Sequence, residues 1–149
     1  FDVSDVEKPK EVSKYIIGDR GTDSHALQDH KAFLFSREKN LLVIPVLLAE
    51  IDRDRYQAEL PRNAYGDYVW EGAYVFSIDA ESGIRLKGRI SHSEDSDSLV
   101  KSGRYYYGSE YSIKRSLYMD DALYTVSEEM IKMNDLMDLD EVNIIYLRS

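Results

Sequence analysis

Short apolar runs broken by acidic or glycine-containing turns fill the chain, and no window sustains an apolar period of 3.6 residues. The pattern therefore predicts strands. Three stretches share one design, an apolar strand, an acidic turn and a second strand: 1–5 with 11–17, 74–79 with 84–90, and 131–135 with 141–147. Pro9, Ser82 with Gly83, and Asp138 lie in the intervening turns and suit hairpin corners. A second hairpin type lies between successive copies. In it, 31–36 turns through Glu38, Lys39 and Asn40 into 41–46, and 112–118 turns through Asp120 and Asp121 into 123–126.

Two alternating hairpins make a four-stranded unit, and the spacing from Phe1 to Phe76 is 75 residues and from Phe76 to Ile131 is 55. Long, loop-inflated periods of four strands point to propeller blades rather than to a helical solenoid. The expected fold is all-β, a β-propeller fragment within one domain spanning 1–149. It comprises the outer hairpin of one blade (1–17), a full four-stranded antiparallel blade (31–91) and a last blade (112–147). Leu41 to Ile44 is apolar on both strand faces, as expected where blades stack. In the outer strand, Ile84, Leu86 and Ile90 alternate with Arg85, Lys87 and Arg89, which predicts one solvated face rather than a basic recognition patch. Trp70, the only tryptophan, begins the third strand and reads as core.

Hydrophobic residues make up 43% of the 149 and charged ones 32%, ordinary for a globular domain and contrary to intrinsic disorder. Twelve tyrosines against four phenylalanines reinforce the β assignment. A net charge of −9 opposes general attraction to nucleic acid or an anionic membrane and favours cations or basic surfaces. The absence of cysteine rules out disulfides and thiolate metal sites within this segment. Neither a membrane span nor a signal peptide is legible here. The chain opens inside a strand, so it reads as a piece of a longer protein whose leader or anchor is expected upstream.

Several segments together carry a resemblance: Asp-His-Lys-Ala-Phe-Leu-Phe from Asp29, Leu-Leu-Val-Ile-Pro-Val from Leu41, Gly-Ala-Tyr-Val-Phe from Gly72, Ile-Lys-Arg-Ser-Leu-Tyr from Ile113, Leu-Tyr-Thr-Val-Ser from Leu123 and Ile-Lys-Met-Asn-Asp-Leu from Ile131. They resemble the C-terminal β-propeller domain of a family of secreted bacterial and archaeal proteins distantly related to WD-repeat propellers. The likeness covers nearly the whole chain. It implies export and an extracellular or cell-surface location, and brings no catalytic residues to carry over. A ring needs several blades and this chain holds about two and a half, so either it is a fragment or copies associate to cover exposed edges.

In such a topology the links 18–30, 52–67 and 92–111 emerge at one end and the tight turns at the other, with the short link at Glu128 and Glu129 the exception. Long loops on a rigid scaffold place the recognition surface at the first end. Asp19, Asp23 and Asp29, with Thr22 and Ser24, and Asp95 and Asp97 in the later loop offer oxygens that suit Ca²⁺. Neither loop matches a recognised calcium loop, and the same residue types make Asx and ST turns, which is the preferred reading. His25 and His30 could join Asp23 or Asp29 as metal ligands or as a general base with its orienting carboxylate. His30, directly before the inner strand, reads rather as a structural histidine bonded across the blade, as in WD-repeat propellers. Arg104, Tyr105, Tyr106, Tyr107 and Tyr111 interleave basic and aromatic groups. They suit a sugar or protein partner, and several of them equally suit covering the last blade's inner edge.

Two functions follow. The preferred one is a non-enzymatic binding module outside the cell that holds a protein, peptide or glycan, with Ca²⁺ stiffening the loops. The alternative is a propeller hydrolase or lyase using His25 or His30 with an aspartate and a divalent metal. No nucleophile elbow, His-Glu-X-X-His helix or phosphate-cradling glycine loop occurs.

Overall fold

The computed structural model describes residues 1–56, 59–93 and 109–147. Strands β1 (Leu34–Ser36), β2 (Leu41–Glu50), β3 (Asp67–Asp79) and β4 (Gly83–Ile90) form one antiparallel sheet in chain order. Strands β5 (Arg115–Met119), β6 (Ala122–Val126), β7 (Met130–Asp135) and β8 (Glu141–Tyr146) form a second of the same design. The chain is therefore all-β, with two four-stranded meanders. No helix among the described residues is long and apolar enough to cross a membrane.

The turns explain why the strands stop where they do. Asn40 and Asp120 hold matching left-handed positions, φ 49° and 50°, in the β1–β2 and β5–β6 turns. These residue types are several-fold enriched in that region. Before Gly83, the Asp79 carboxylate accepts the backbone N–H groups of Glu81 at 2.9 Å and Ser82 at 2.6 Å. In the β7–β8 turn Asp135 accepts from Met137 N and Asp138 from Asp140 N. The acidic turn residues thus satisfy their own backbone.

Alternation along β2 and β3 sends two apolar sets to opposite faces. Leu41, Val43, Ala73, Val75 and Ile90 meet Ile113, Leu123 and Leu136 in a core between the two sheets. On the other face Val46, Leu48, Tyr74 and Phe76 pack with Leu42, Ile44, Ile78 and Ile84. The N-terminal segment lies against this second face. Ile17 packs on it, Tyr15 meets Phe76 edge-on with centroids 5.0 Å apart, and Ser13 Oγ accepts the Ile84 N–H at 3.0 Å. The first sheet is apolar on both sides because both sides are covered.

Polar links also join the sheets. Ser36 Oγ and Tyr118 Oη lie 3.0 Å apart, Lys39 pairs with Asp121 at 3.1 Å, and Lys132 donates to the Ser91 carbonyl at 3.0 Å.

Three local expectations need correction. The 1–17 hairpin is reduced to one bridge, Asp2 with Lys10, and 11–17 runs without a ladder. An isolated two-stranded ribbon is marginal without further strands. Residues His30–Ala32 form a 3₁₀ turn instead of starting the inner strand, because the Asp29 carboxylate caps Lys31 N. Finally, a register shift between Val75 and Phe76 changes the parity of β4. Ile90 therefore faces the second sheet, while Ile84 joins the opposite face. The basic residues Arg85, Lys87 and Arg89 are exposed, as expected, and two of them make contacts as well. Arg89 stacks over Trp70 at 4.9 Å and Tyr74 at 5.7 Å, and Lys87 donates to the Leu136 carbonyl.

Candidate functional site

The strand directions bring the C-terminal ends of β2 and β4, the start of β3, the residues entering β5 and the segment 18–33 to one end of the two sheets, and the β1–β2, β3–β4, β5–β6 and β7–β8 turns to the other. At the long-loop end a cleft of about 300 Å³ opens between the sheets. Its polar wall carries His25, Asp29, Glu71, Ser112, Lys114 and Arg115, and its apolar wall Pro45, Val46, Leu47 and Ile113.

The first loop is held there by β2. Strand β1 pairs only with Leu41, Leu42 and Val43, so the upper edge of β2 has free backbone groups, and the loop uses them. Asp19 N donates to the Ala49 carbonyl at 2.8 Å, and Thr22 Oγ1 engages both the oxygen and the nitrogen of Ala49. Asp23 and Leu47 exchange two backbone bonds, and Ser24 Oγ donates to the Pro45 carbonyl at 2.5 Å. Gly18, at φ +62°, starts this run where any Cβ would press into Leu48 and the Ala49 carbonyl. The zipper carries His25 and Asp29 over the cleft.

The three aspartates nominated for Ca²⁺ are each occupied locally. Asp19 accepts from Ile51 N at 2.8 Å and faces Arg53 at 3.6 Å. Asp23 accepts from Ser24 N at 2.7 Å. Asp29 caps Lys31 N at 2.9 Å and pairs with Arg115 at 2.8 Å. The Lys31 N–H, then Arg115, hold its carboxyl below the usual carboxylate range. Among the described residues no group of three or more His, Asp or Glu is arranged to hold a metal ion. Asp95, Asp97, Arg104, Tyr105, Tyr106 and Tyr107 lie outside the described residues. Tyr111 is half-buried in a turn, its N–H bonded to Ser109 Oγ at 3.2 Å.

The cross-blade histidine exists, at a different position from the expected one. His30 is exposed in its 3₁₀ turn. His92, in the link after β4, is 2% exposed, with Nε2 2.8 Å from Thr125 Oγ1 and Nδ1 2.9 Å from Ser127 Oγ. Burial, aided by Lys132, lowers its pKa to about 4, so it is neutral at pH 7.

Glu71, on β3 opposite Leu47, was not singled out by the sequence. The Ser112 hydroxyl donates to its Oε1, and desolvation pushes its pKa up. The other charges of the cleft are internally matched, Arg115 by Asp29 and Lys114 by Glu128. The signal for Glu71 was the one charged residue within the stretch from Tyr68 to Phe76.

A larger, more open groove of about 930 Å³ lies at the tight-turn end, bordered by Phe1, Phe35, Ile78 and Ile84. Size alone would favour it. Its carboxylates are already engaged, however, Asp79 by Glu81 and Ser82, and Asp2 by Ser4. The long-loop cleft offers convergent polar groups on two sheets, which is the commoner form of a ligand site.

Four-stranded antiparallel meanders stacked face to face, with long links gathered at one end, define a propeller-type protein. The family model described as Beta propeller domain matches residues 1–139, and the chain belongs to that family. No curated protein and no solved structure matches the chain.

Proposed function

We propose that the chain is a non-enzymatic recognition module that holds a protein, peptide or glycan at its long-loop end. The observation that carries this reading is the cleft in which the 18–33 loop and residues Ser112 to Arg115 converge on Glu71. Its apolar wall supplies burial and its polar wall supplies direction. A secreted or cell-surface setting belongs to the same proposal and rests on the sequence resemblance. Distant kinship with WD-repeat propellers is supported by His92, which bonds across to β6 and the residue that follows it.

The alternative, a hydrolase or lyase, is favoured by one observation, the presence of His25 and Asp29 in a single cleft. Against it, the Asp29 carboxylate is taken by Lys31 N and Arg115, and the Ser112 hydroxyl already donates to Glu71. An orienting carboxylate and an activated nucleophile both need those atoms.

The test is to titrate a panel of short peptides and oligosaccharides into the ¹⁵N-labelled chain. Binding should shift amides of His25, Asp29, Leu47, Glu71 and Ser112 to Arg115. Shifts gathered around Phe35, Ile78 and Gly83 would move the recognition surface to the opposite end.

A further inference from the structure

The ligand chemistry of the cleft can be narrowed, on the condition that the cleft is the recognition site proposed above. Two of its cations are balanced within the chain, Arg115 by Asp29 at 2.8 Å and Lys114 by Glu128. Among the described residues Glu71 has no such partner. Its bonded neighbour is a neutral hydroxyl, that of Ser112, and Pro45, Leu47 and Ile113 contribute apolar surface to the same cleft. Burial of a carboxyl is costly unless a donor or a cation compensates it.

We propose that this cleft takes the side chain of a lysine or arginine presented by a basic peptide, with the cationic head on Glu71 and the aliphatic stem along Pro45, Leu47 and Ile113. Such side chains lay their stems on apolar surface while the head seeks polar partners. A charge-assisted bond to a half-desolvated carboxylate is stronger than the same bond in water. The net charge of −9 draws a basic partner toward the surface before docking. A neutral glycan would use Glu71 only as an ordinary hydrogen-bond group and would gain nothing from its charge.

The proposal carries a proton signature. Desolvation raises the Glu71 pKa in the free chain. A docked cation favours the ionised form and therefore expels a proton at pH values near the raised pKa. Among the described residues, the charged or titratable groups around Glu71 in the cleft are His25 and Asp29 from the first loop and Lys114 and Arg115 from the segment entering β5, while Pro45, Val46 and Leu47 of β2 carry none.

The experiment is calorimetric titration of the full chain with three probes at low salt: acetyl-Gly-Lys-Gly-amide, the same peptide with norleucine for lysine, and cellotriose. The lysine peptide is expected to bind at least ~10-fold more tightly than the norleucine peptide, the size of effect a charge-assisted bond supplies. Glu71→Gln should lose that preference. Glu38→Gln, the same change at an exposed residue of the β1–β2 turn, should retain it, and an unchanged thermal melt of Glu71→Gln excludes a folding defect. In a series from pH 4.5 to 6.5, comparison of two buffers of different ionisation enthalpy should reveal proton release on binding by the native chain at some pH and none by Glu71→Gln. Equal binding of the lysine and norleucine peptides, or a preference that survives Glu71→Gln, overturns the cation assignment. Binding of cellotriose alone, with amide shifts at the cleft, overturns it and leaves the recognition site standing. Shifts away from the cleft for every probe that binds, or no binding of the lysine peptide, overturn it as well, and the former removes the site too.

Discussion

His92 Nε2 sits 2.8 Å from Thr125 Oγ1, joining the link after β4 to an inner strand of the next sheet at a fully buried position. Thr125 has 0% exposure and faces the first sheet, so its hydroxyl needs this partner. Ser127 completes the arrangement by bonding the other ring nitrogen. His92→Ala should destabilise the chain by about 2–4 kcal/mol, combining a cavity with loss of the ring's bond to the Thr125 hydroxyl, while Ser127 Oγ keeps its bond from Met130 N. Urea unfolding followed by circular dichroism measures it. A loss under half a kilocalorie would show that the two sheets do not depend on this tie.

The same imidazole sets a pH dependence. Its folded pKa, about 4, lies below the ordinary histidine value of 6.5, so the unfolded chain binds more protons between those limits. Stability should be fully present above pH 6.5 and fall as pH drops toward 4, by up to about 3 kcal/mol. Glu71 acts with the opposite sign. Its raised pKa gives a contribution present at acid pH and lost as pH rises through the folded value. Unfolding midpoints from pH 4 to 7 for the native chain, His92→Asn and Glu71→Gln separate the two. The His92→Asn profile should be flatter than the native one, and the Glu71→Gln profile steeper.

Gly72 follows Trp70 by two residues on the same face of β3, and an added Cβ would press into the Ile90 carbonyl oxygen and the indole ring. Neither a backbone oxygen nor a packed ring can retreat cheaply. Gly72→Ala should cost roughly 2–3 kcal/mol or more, as expected of overpacking between strands. A thermal melt checks it, and an unchanged midpoint would contradict the packing described.

Arg89 stacks on Trp70, the only tryptophan in the chain, so fluorescence reports this contact directly. Arg89→Ala should alter the emission of Trp70 and cost about 0.5–1 kcal/mol, the range for an exposed cation–π pair. An unaltered spectrum would mean that the guanidinium spends its time in solvent.

The strands were legible because their apolar positions alternate and their turns carry Asn40, Gly83 and Asp120, residues that accept left-handed backbone. What could not be read was parity. Val75 pairs with Gly88 and Phe76 with Leu86, so Lys87 is an extra residue of β4 that sends Ile90 and Ile84 to opposite faces, and apolar alternation alone does not show it. The choice between histidines failed for a related reason. His30 precedes β1 closely, but the Asp29 cap turns the chain into a 3₁₀ turn and leaves the ring outside. His92 could have been found from its partner, because Thr125 puts a hydroxyl two residues after buried Leu123, on the same strand face. The long-loop end followed from link lengths. Glu71 did not, since a single carboxylate in a strand gains meaning only when Ser112, more than forty residues away, is brought beside it.

The most direct test of the recognition surface is a crystal structure of the full chain grown with acetyl-Gly-Lys-Gly-amide. The account predicts density for the peptide between Pro45 to Leu47 and Ser112 to Arg115, with the lysine Nζ at about 2.7–2.9 Å from a Glu71 oxygen. Peptide density in the groove beside Phe35 and Ile78, with Glu71 bonded only to Ser112, would contradict it.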